Sequence, residues 1–482
     1  MGDLLDTPDA GPAAVRGGVL RIAGYVAGVL VTVGSAAVLL RHLGVEDSGR
    51  YVLVLSIVTL AGGVTDAGLS SIGVRELSLR SGADRRRFMR NLLGLRIAFT
   101  LAGIALACLY ALGAGLGEAL VAGTAIAGAG VLAQNLQSTY ATSLMAELRL
   151  GWVTVIDLAR QVATAIAIVA LAAAGAGLVP FFVVAPAAGL LALALTARLV
   201  RGSVPLRPAA EREQWRELLA QTLPFALAAA VGAIYFRLAI LLVDLLSTDR
   251  QTGLFGASFR IVEVLVVVPQ LMLSAALPIF SRAARDDAER LRYGLGLVAQ
   301  ASLIAGGAVA VGLVLGAPVA IDVVAGPDFD GAEPVLRLHA VALLFSFLAA
   351  PAGYALLSLR RHQRGQRRGV HDQDLAMAAL AILVPVDGAR GAAVATVIGE
   401  AVLAGSGALL VARSGHRLRI AKAPRIVLAA AVALAPGLVL PALPAAALGL
   451  AIFVGALLAL RAVPDELLDE VRRRRAATVP PP

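Results

Sequence analysis

The chain has 482 residues, of which 59% are hydrophobic and only 15% are charged, and its mean hydropathy is +0.84. This composition excludes a soluble globular protein and indicates one that lies in a bilayer. The apolar residues fall in repeated stretches of roughly 20, the length that a helix needs to cross the hydrocarbon core. We therefore predict an all-α polytopic membrane protein.

About fourteen transmembrane helices are predicted from these stretches, with short charged segments between them. The opening residues, MGDLLDTPDAGPAAVRGG, are acidic and polar, so we expect no cleavable signal peptide before the first span. In chain order, the predicted spans lie near residues 18–40, 51–74, 91–113, 118–145, 153–175, 178–197, 222–246, 254–280, 294–320, 335–359, 374–387, 389–411, 424–441 and 442–460.

Arginine is concentrated in alternate loops of this order. One set of loops carries runs such as RRR at residues 85–87 and RRRR at 472–475, whereas one of the intervening loops, DVVAGPDFDGAEP, is purely acidic. By the positive-inside rule, both termini face the cytoplasm and the acidic loop faces outward. This topology and the anionic lipid head groups account for the net charge of +10, so we expect no nucleic-acid partner.

Residue types that most enzymes and ATP-driven pumps need are scarce. Lys422 is the only lysine and no Gly-Lys-Ser/Thr sequence exists, so a phosphate-binding P-loop is excluded. Cys108 is the only cysteine, and the five histidines are scattered without metal-ligand spacing. The outward loops are too short for a sugar-transferring site, and the acidic pair Glu46 and Asp47 fits turn chemistry better than catalysis. We expect no enzymatic activity, no metal and no cofactor.

The two halves of the chain share a hairpin. Aligning residues 42–56 with residues 245–259 superposes Gly49 on Gly253 and Tyr51 on Phe255. The match predicts two parallel six-helix lobes, as in transporters whose substrate site lies between repeats. The predicted organisation is an N-terminal lobe over 1–200, a cytoplasmic amphipathic linker over 201–221, a C-terminal lobe over 222–415, two further transmembrane helices over 416–460 and a basic cytoplasmic tail over 461–482.

Three stretches resemble motifs of a known transporter superfamily. LLRHLGVEDSGRYVLVLSIVTLAGGVTDAGLSSIGVREL resembles the opening hairpin of the polysaccharide flippases in the multidrug/oligosaccharidyl-lipid/polysaccharide exporter superfamily. GLFGASFRIVEVLVVVPQLMLSAALPIFSRAA resembles that family's Gly-Leu-Tyr, Ala-x-Arg-x-x-Glu and Pro-x-x-Ser-Arg pattern, and GARGAAVATVIGE resembles its late Gly-Ala-Ala-x-Ala-Thr signature. The resemblance covers most of residues 15–415. It implies a cavity lined by spans one, two, seven and eight.

Two regions depart from the family pattern. Ala239 stands where relatives often have an aspartate, which puts a coupling role for that position in doubt. The segment SLRRHQRGQRRGVHDQDLAMAALAILVPVDG has the length of the expected tenth-to-eleventh hairpin but not its composition, and its apolar part, roughly 375–386, is short for a span. We expect either a partial helix shielded by its neighbours or an altered reading frame there.

Several charges lie inside predicted spans, although a charge near the bilayer centre costs roughly 2.5–3.5 kcal/mol. Arg237 lies about 22 Å along span seven, at 1.5 Å per residue, and so past its midpoint. The simpler interpretation is a set of structural ion pairs, which would join Arg260 to Glu263, Arg237 to Asp244, and Arg75 to Glu76.

The functional interpretation is a cationic cavity that binds an anionic substrate. The arginine guanidinium is a permanently charged fork of donors that matches phosphate oxygens. Arg21, Arg237, Arg260 and Glu263 are the candidates, because they fall on spans that the resemblance places around the cavity. Four other charged residues fall on spans that it implies are peripheral, and they are interpreted as packing or interfacial residues: Arg96, Asp157, Arg160 and Glu400.

The resemblance implies a flippase that moves a polyprenyl-pyrophosphate-linked oligosaccharide across the cytoplasmic membrane by alternating access, for cell-surface polysaccharide biosynthesis. Its partners would be that lipid-linked substrate, anionic lipids, and glycosyltransferases or a polymerase of the same pathway. A multidrug exporter or a peptidoglycan-precursor flippase of the same superfamily is the alternative, and span one disfavours the exporter because it contains no carboxylate to attract a cation. A membrane-embedded glycosyltransferase or polymerase is the alternative from another class.

Overall fold

The structure, a computed structural model, describes residues 10–66, 69–147, 149–202, 204–205, 207–269, 288–358, 362–415, 420 and 422–464. Two short 3-10 segments, Pro327–Ala332 and Ala435–Leu438, join longer helices. In chain order the helices are α1 Ala10–Asp66, α2 Leu69–Leu79, α3 Gly82–Gly113, α4 Glu118–Ala146, α5 Leu150–Ala173, α6 Leu178–Phe181, α7 Val184–Val200, α8 Arg212–Leu246, α9 Asp249–Leu265, α10 Ala288–Val324, α11 Glu333–Ser358, α12 His362–Arg413, α13 Ala423–Ala433 and α14 Ala442–Ala459.

Ten helical segments among the described residues are long and apolar enough to cross a membrane. Two of them, Ala27–Asp66 and Asp374–Arg413, are 40 residues long, so each holds two of the predicted spans. Span thirteen forms the shorter apolar helix Ala423–Leu438, because Pro436 and Pro441 lack the N–H groups that would continue it. The predicted all-α polytopic membrane fold is confirmed.

Spans one and two lie in the same helix, α1, and meet at Gly44. The backbone there has φ 69° and ψ −175°, a conformation that glycine adopts without a Cβ clash. Nearby, Asp47 accepts a hydrogen bond from Arg50 Nη1 at 2.9 Å, and His42 Nε2 lies 2.7 Å from the carbonyl oxygen of Ala176. The carboxylate of Asp47 thus has a structural partner in this turn.

The chain divides into two compact units, Met1–Leu245 and Leu246–Pro482. In the first unit, α1 packs against α3, α4 and α5, and α7 packs against α4 and α5. In the second unit, α11 packs against α9, α10 and α12. Phe453 of α14 joins an apolar cluster with Leu303 and Leu315 of α10, so the two C-terminal helices are part of the second unit.

The boundary of the units follows span seven, whereas the sequence places the lobe boundary before it. α8 is one helix from the linker to Leu246, and its Leu241 packs in a cluster with Leu53, Ile57 and Ala107. These contacts group span seven with the first unit. The assignment of span seven to a C-terminal lobe stays a prediction.

The aromatic residues that the internal alignment matched are packed in a similar way. Tyr51, near the start of span two, is buried and stacks on Phe182 with ring centroids 5.6 Å apart. Phe255, near the start of span eight, is buried and stacks on Phe259 at 6.1 Å, with the His339 ring edge-on to it. Each unit therefore contains an aromatic stack at the matched position.

Residues 362–386 form a continuous helix rather than the partial helix that we expected. α12 is interrupted by non-helical backbone angles only at residues 387–388. Over residues 374–386 one helix face is buried and the other is not, and Ile382 and Val386 are 67% and 80% exposed. The expected shielding of span eleven is wrong for these side chains. The charged segment continues the helix before the apolar run, so the whole helix extends about 37 Å at 1.5 Å per residue.

The linker before α8 is bound to the N-terminal half of α3. Glu211 Oε2 accepts a hydrogen bond from Arg87 Nε at 2.7 Å. Glu211 also exchanges two hydrogen bonds with the side-chain amide of Asn91, at 2.8 and 3.0 Å. The backbone N–H of Ala209 donates to the carbonyl oxygen of Arg90 at 2.8 Å. The linker is therefore held to α3 by polar contacts at residues 209 and 211, just before α8 begins.

The apolar side of the same linker packs on protein. Leu218 is buried in a cluster that includes Phe88 and Leu92 of α3, and Trp215 and Leu219 pack against that cluster. The sequence predicts this amphipathic pattern but assigns its apolar side to the inner leaflet. In the structure, the buried residues Phe88 and Leu92 of α3 take the place of lipid against this side of the linker.

Adding a methyl group at Gly94 should displace the linker from α3. A Cβ there would lie 2.0 Å from the carbonyl oxygen of Ala209 and 3.2 Å from the Trp215 ring. We expect Gly94→Ala to destabilise the protein by about 1–3 kcal/mol, the usual cost of overpacking. Thermal unfolding in detergent and the rate of tryptic cleavage at Arg212 measure the effect. Gly113→Ala is the matched control, since no atom lies within 4 Å of its Cβ position; equal behaviour of the two variants would contradict the docking.

The docked linker should also respond to acid. The hydrogen bond from Arg87, and then the one from Asn91, lowers the pKa of the Glu211 carboxyl. A lowered pKa in the folded state stabilises docking above the ordinary glutamate pKa of about 4.3, and this stabilisation is lost as the pH falls through the folded value. Trp215 fluorescence in a Trp152→Phe background should report an acid transition that Glu211→Gln removes. A transition that is unchanged in Glu211→Gln would assign it to another group.

Candidate functional site

The four candidate cavity residues lie on three helices. Arg21 is in α1, and its side chain lies outside the part that the structure describes. Arg237 is half-buried in α8, about 13 Å along the axis from the helix end at Leu246. Arg260 and Glu263 are in α9, about 16 and 21 Å from its start. Arg237 is therefore far from both ends of α8, whereas Arg260 and Glu263 lie about 8 and 3 Å before the end of α9 at Leu265.

Arg260 and Glu263 form the predicted ion pair. Arg260 Nη1 lies 3.2 Å from Glu263 Oε2, and both side chains are 35% exposed. The three-residue spacing puts them on one face of α9, where such pairs stabilise a helix by about 0.2–0.5 kcal/mol. Among the described residues, only Glu263 accepts from Arg260.

The predicted pair of Arg75 and Glu76 is much weaker. Arg75 Nε lies 4.0 Å from Glu76 Oε1, at the limit of contact, and the Arg75 side chain is mostly exposed. Glu76 contacts Arg80 Nη2 at 3.1 Å instead, one helical turn later, and the Arg80 guanidinium stacks 4.7 Å from the centre of the Phe88 ring. This group lies at the junction of α2 and α3 and has a structural role.

The structure contains a charge network that the sequence interpretation missed. Arg96 of α3 has no exposed surface, and it donates to an Asp66 carboxylate oxygen, to Ser70 Oγ at 2.7 Å and to Thr139 Oγ1 at 3.0 Å. The interpretation of Arg96 as a packing residue agrees with its burial. The sequence interpretation did not single out Asp66. It stands four residues before Ser70, and its depth in span two is similar to that of Arg96 in span three.

Two further polar contacts are buried in the second unit. Ser258 Oγ lies 2.7 Å from Nδ1 of His339, whose side chain is fully buried. Ser346 Oγ donates to Glu400 Oε2 at 2.6 Å, and Glu400 is 4% exposed. The burial of Glu400 agrees with its interpretation as a packing residue. These contacts join α9 to α11 and α11 to α12.

Two of the three described candidates, Arg237 and Arg260, provide cationic groups of the kind that bind phosphate. Arg237 and Arg260 each present a guanidinium that is partly exposed. Guanidinium groups bind phosphate oxygens through paired N–H donors. Within the described ranges, no group of three or more histidine, cysteine, aspartate or glutamate side chains is arranged to hold a metal ion.

Solved transporter structures share the fold. The chain is similar to the lipid II flippase MurJ in an inward closed conformation, with a TM-score of 0.76 and 13% identity over 92% of this chain and 98% of that one. An inward-facing multidrug resistance MATE family transporter of the MOP superfamily has a TM-score of 0.66 and 15% identity, over 82% of this chain and 97% of that one. A MOP superfamily transporter from Pyrococcus furiosus has a TM-score of 0.55 and 16% identity, over 83% and 94%.

No curated protein sequence matches the chain. A family model does match it: residues 38–334 fit the model described as polysaccharide biosynthesis protein. The match begins before span two and ends at the start of α11, so it includes both aromatic stacks and the Asp66 network. The sequence-level resemblance is therefore confirmed, and the chain belongs to the family described as polysaccharide biosynthesis protein.

Proposed function

We propose that this chain is a flippase that moves a polyprenyl-pyrophosphate-linked oligosaccharide from the inner to the outer leaflet of the cytoplasmic membrane. The family and the fold support a flippase of the MOP superfamily rather than a catalytic enzyme. The half-buried guanidinium of Arg237, far from both ends of α8, is the observation that carries the substrate assignment. A pyrophosphate is the anion that such a group would bind.

The proposed mechanism is alternating access, with Arg21, Arg237 and Arg260 supplying positive charge to the pyrophosphate. Glu263 would orient Arg260, since the two side chains are already in contact at 3.2 Å. The sugar is hydrophilic and the polyprenyl chain is apolar, so only the head group needs a polar path. Glycosyltransferases or a polymerase of the same pathway would supply and consume the substrate.

Arg237 provides the decisive test. Arg237→Ala should abolish flipping while the protein stays folded, because removing a charge from a membrane helix eases insertion. Arg237→Lys should recover only part of the activity, since lysine keeps the charge but loses the bidentate fork. Flipping in proteoliposomes and expression level are the measurements. Arg250→Ala, an exposed arginine just beyond the end of α8, is the matched control and should leave flipping unchanged.

A structural role for Arg237 gives a different pattern. If Arg237 only pairs with Asp244, the single alanine variant leaves a half-buried carboxylate uncompensated and destabilises the protein. The double variant Arg237→Ala/Asp244→Ala would then restore both stability and flipping. Full transport by the double variant would rule out a substrate-binding role for Arg237.

The proposed orientation, with both termini in the cytoplasm, is tested by cysteine labelling in a Cys108→Ser background. Arg86 and Asp328 are both exposed on the protein, so either position accepts a cysteine without disturbing packing. In intact cells, an impermeant maleimide should label Asp328→Cys and not Arg86→Cys. The reverse result would invert the topology.

A further inference from the structure

The Asp66 network consists of Asp66, Arg96, Ser70 and Thr139, and its hydrogen bonds engage only one oxygen of the Asp66 carboxylate. Oδ1 of Asp66 accepts from both the Arg96 guanidinium and Ser70 Oγ, the latter at 2.8 Å. Arg96 is held in turn by Ser70 and Thr139, so its position is fixed by α2 and α4. Among the described residues, no group donates to Oδ2 of Asp66. One carboxylate oxygen is thus held by Arg96 and Ser70, while the other has no donor within the part of the chain that the structure describes.

The Asp66 side chain is partly exposed at the protein surface. The Asp66 side chain is 37% exposed, although its partner Arg96 is 0% exposed. Asp66 follows Thr59 and Gly63 at helical spacing on α1, and Thr59 is exposed, with Val64 beside this face. By contrast, the exposed face of α3 presents large aliphatic side chains, at Leu101, Leu106, Leu109 and Leu112. The α3 face fits lipid, whereas the face around Asp66 combines the polar side chains of Thr59 and Asp66 with the exposed Val64.

The network lies within the apolar part of the helices. Arg96 is about 9 Å along α3 from Arg90, the last residue of the basic segment that begins this helix. An ionised carboxylate oxygen that faced lipid at this depth would be costly. Oδ2 therefore needs hydrogen-bond donors, which water or a ligand can supply.

The negative charge of the carboxylate determines which hydrogen-bond donors can bind to Oδ2. A carboxylate oxygen only accepts hydrogen bonds, and it repels phosphate. Neutral hydroxyl groups are suitable donors, and a hydrogen bond from a hydroxyl to a carboxylate is about twice as strong as one between neutral groups. A sugar carries many hydroxyl groups, and its pyrophosphate cannot bind here.

We propose that Asp66 binds a sugar hydroxyl of the transported lipid-linked oligosaccharide through Oδ2. Arg96, Ser70 and Thr139 are positioning residues, since they hold the carboxylate in place and need not touch the sugar. This inference rests on the proposed function and adds a sugar-recognition group to the arginines that would bind the pyrophosphate.

Sugar binding and phosphate binding can be distinguished by measuring the affinity for two lipids. One is the lipid-linked oligosaccharide that accumulates in a strain lacking this chain, and the other is bare polyprenyl pyrophosphate. In Asp66→Asn, the amide oxygen can still accept from Arg96 and Ser70, but an NH₂ group replaces Oδ2. We expect this variant, in nanodiscs, to bind the sugar-bearing lipid roughly tenfold more weakly and the bare lipid equally well. Asp84→Asn is the control, because Asp84 is an exposed carboxylate that contacts Arg80 at 3.4 Å.

The outcomes of the Asp66→Asn binding experiment distinguish the two hypotheses. Equal weakening of both lipids, or no weakening of the sugar-bearing lipid, would overturn the role of Asp66. Failure of the proposed function looks different, because the unmodified protein would then bind neither lipid and Arg237→Ala would change nothing. The two hypotheses can therefore fail separately.

A second measurement leaves the network intact. Thr59→Cys in a Cys108→Ser background places a thiol on the same face as Asp66. A water-soluble thiol reagent should modify this cysteine, and the sugar-bearing lipid should slow the modification at least several-fold more than the bare lipid does. A cysteine that does not react, or that both lipids protect equally, would overturn the proposal even if Asp66→Asn fails to fold.

Discussion

No water reaches the hydrocarbon core of a bilayer to solvate a charge, and this constraint determines where the charges of this chain can lie. Arg96 meets it by complete burial, with hydrogen bonds to Asp66, Ser70 and Thr139. Arg260 meets it by contact with Glu263 on its own helix. Charges that are only half-buried at such depth need polar surroundings, and for this reason they are the candidates for substrate contact.

The linker shows the same principle at the end of the helices. Glu211 is held by Arg87 and Asn91, while Leu218 is buried against α3. Polar and apolar contacts thus act on one short segment and make it part of the first unit. Any movement of span seven relative to α3 has to begin after these contacts, because the helix that carries Arg237 starts within them.

The fold of this chain and its proposed substrate are inferred from different features. A lipid II flippase and multidrug transporters share this fold at 13–16% identity, so the helix arrangement alone does not select a ligand. The side chains at mid-helix depth carry that information. We propose that the arginines bind phosphate and that the Asp66 carboxylate binds hydroxyl groups. A glycolipid pyrophosphate carries both of these groups, and this is why we propose it rather than a cationic drug.

The sequence by itself determined the membrane class, nearly all of the spans and the contact between Arg260 and Glu263. Hydrophobic length and helical spacing are local properties, and neither needs knowledge of distant residues. Tertiary structure decided which side of the linker meets protein, that span eleven has an exposed face, and that Asp66 meets Arg96. Those features depend on residues 30 to 120 positions apart in the chain, brought together by packing. No periodicity along one helix contains that information.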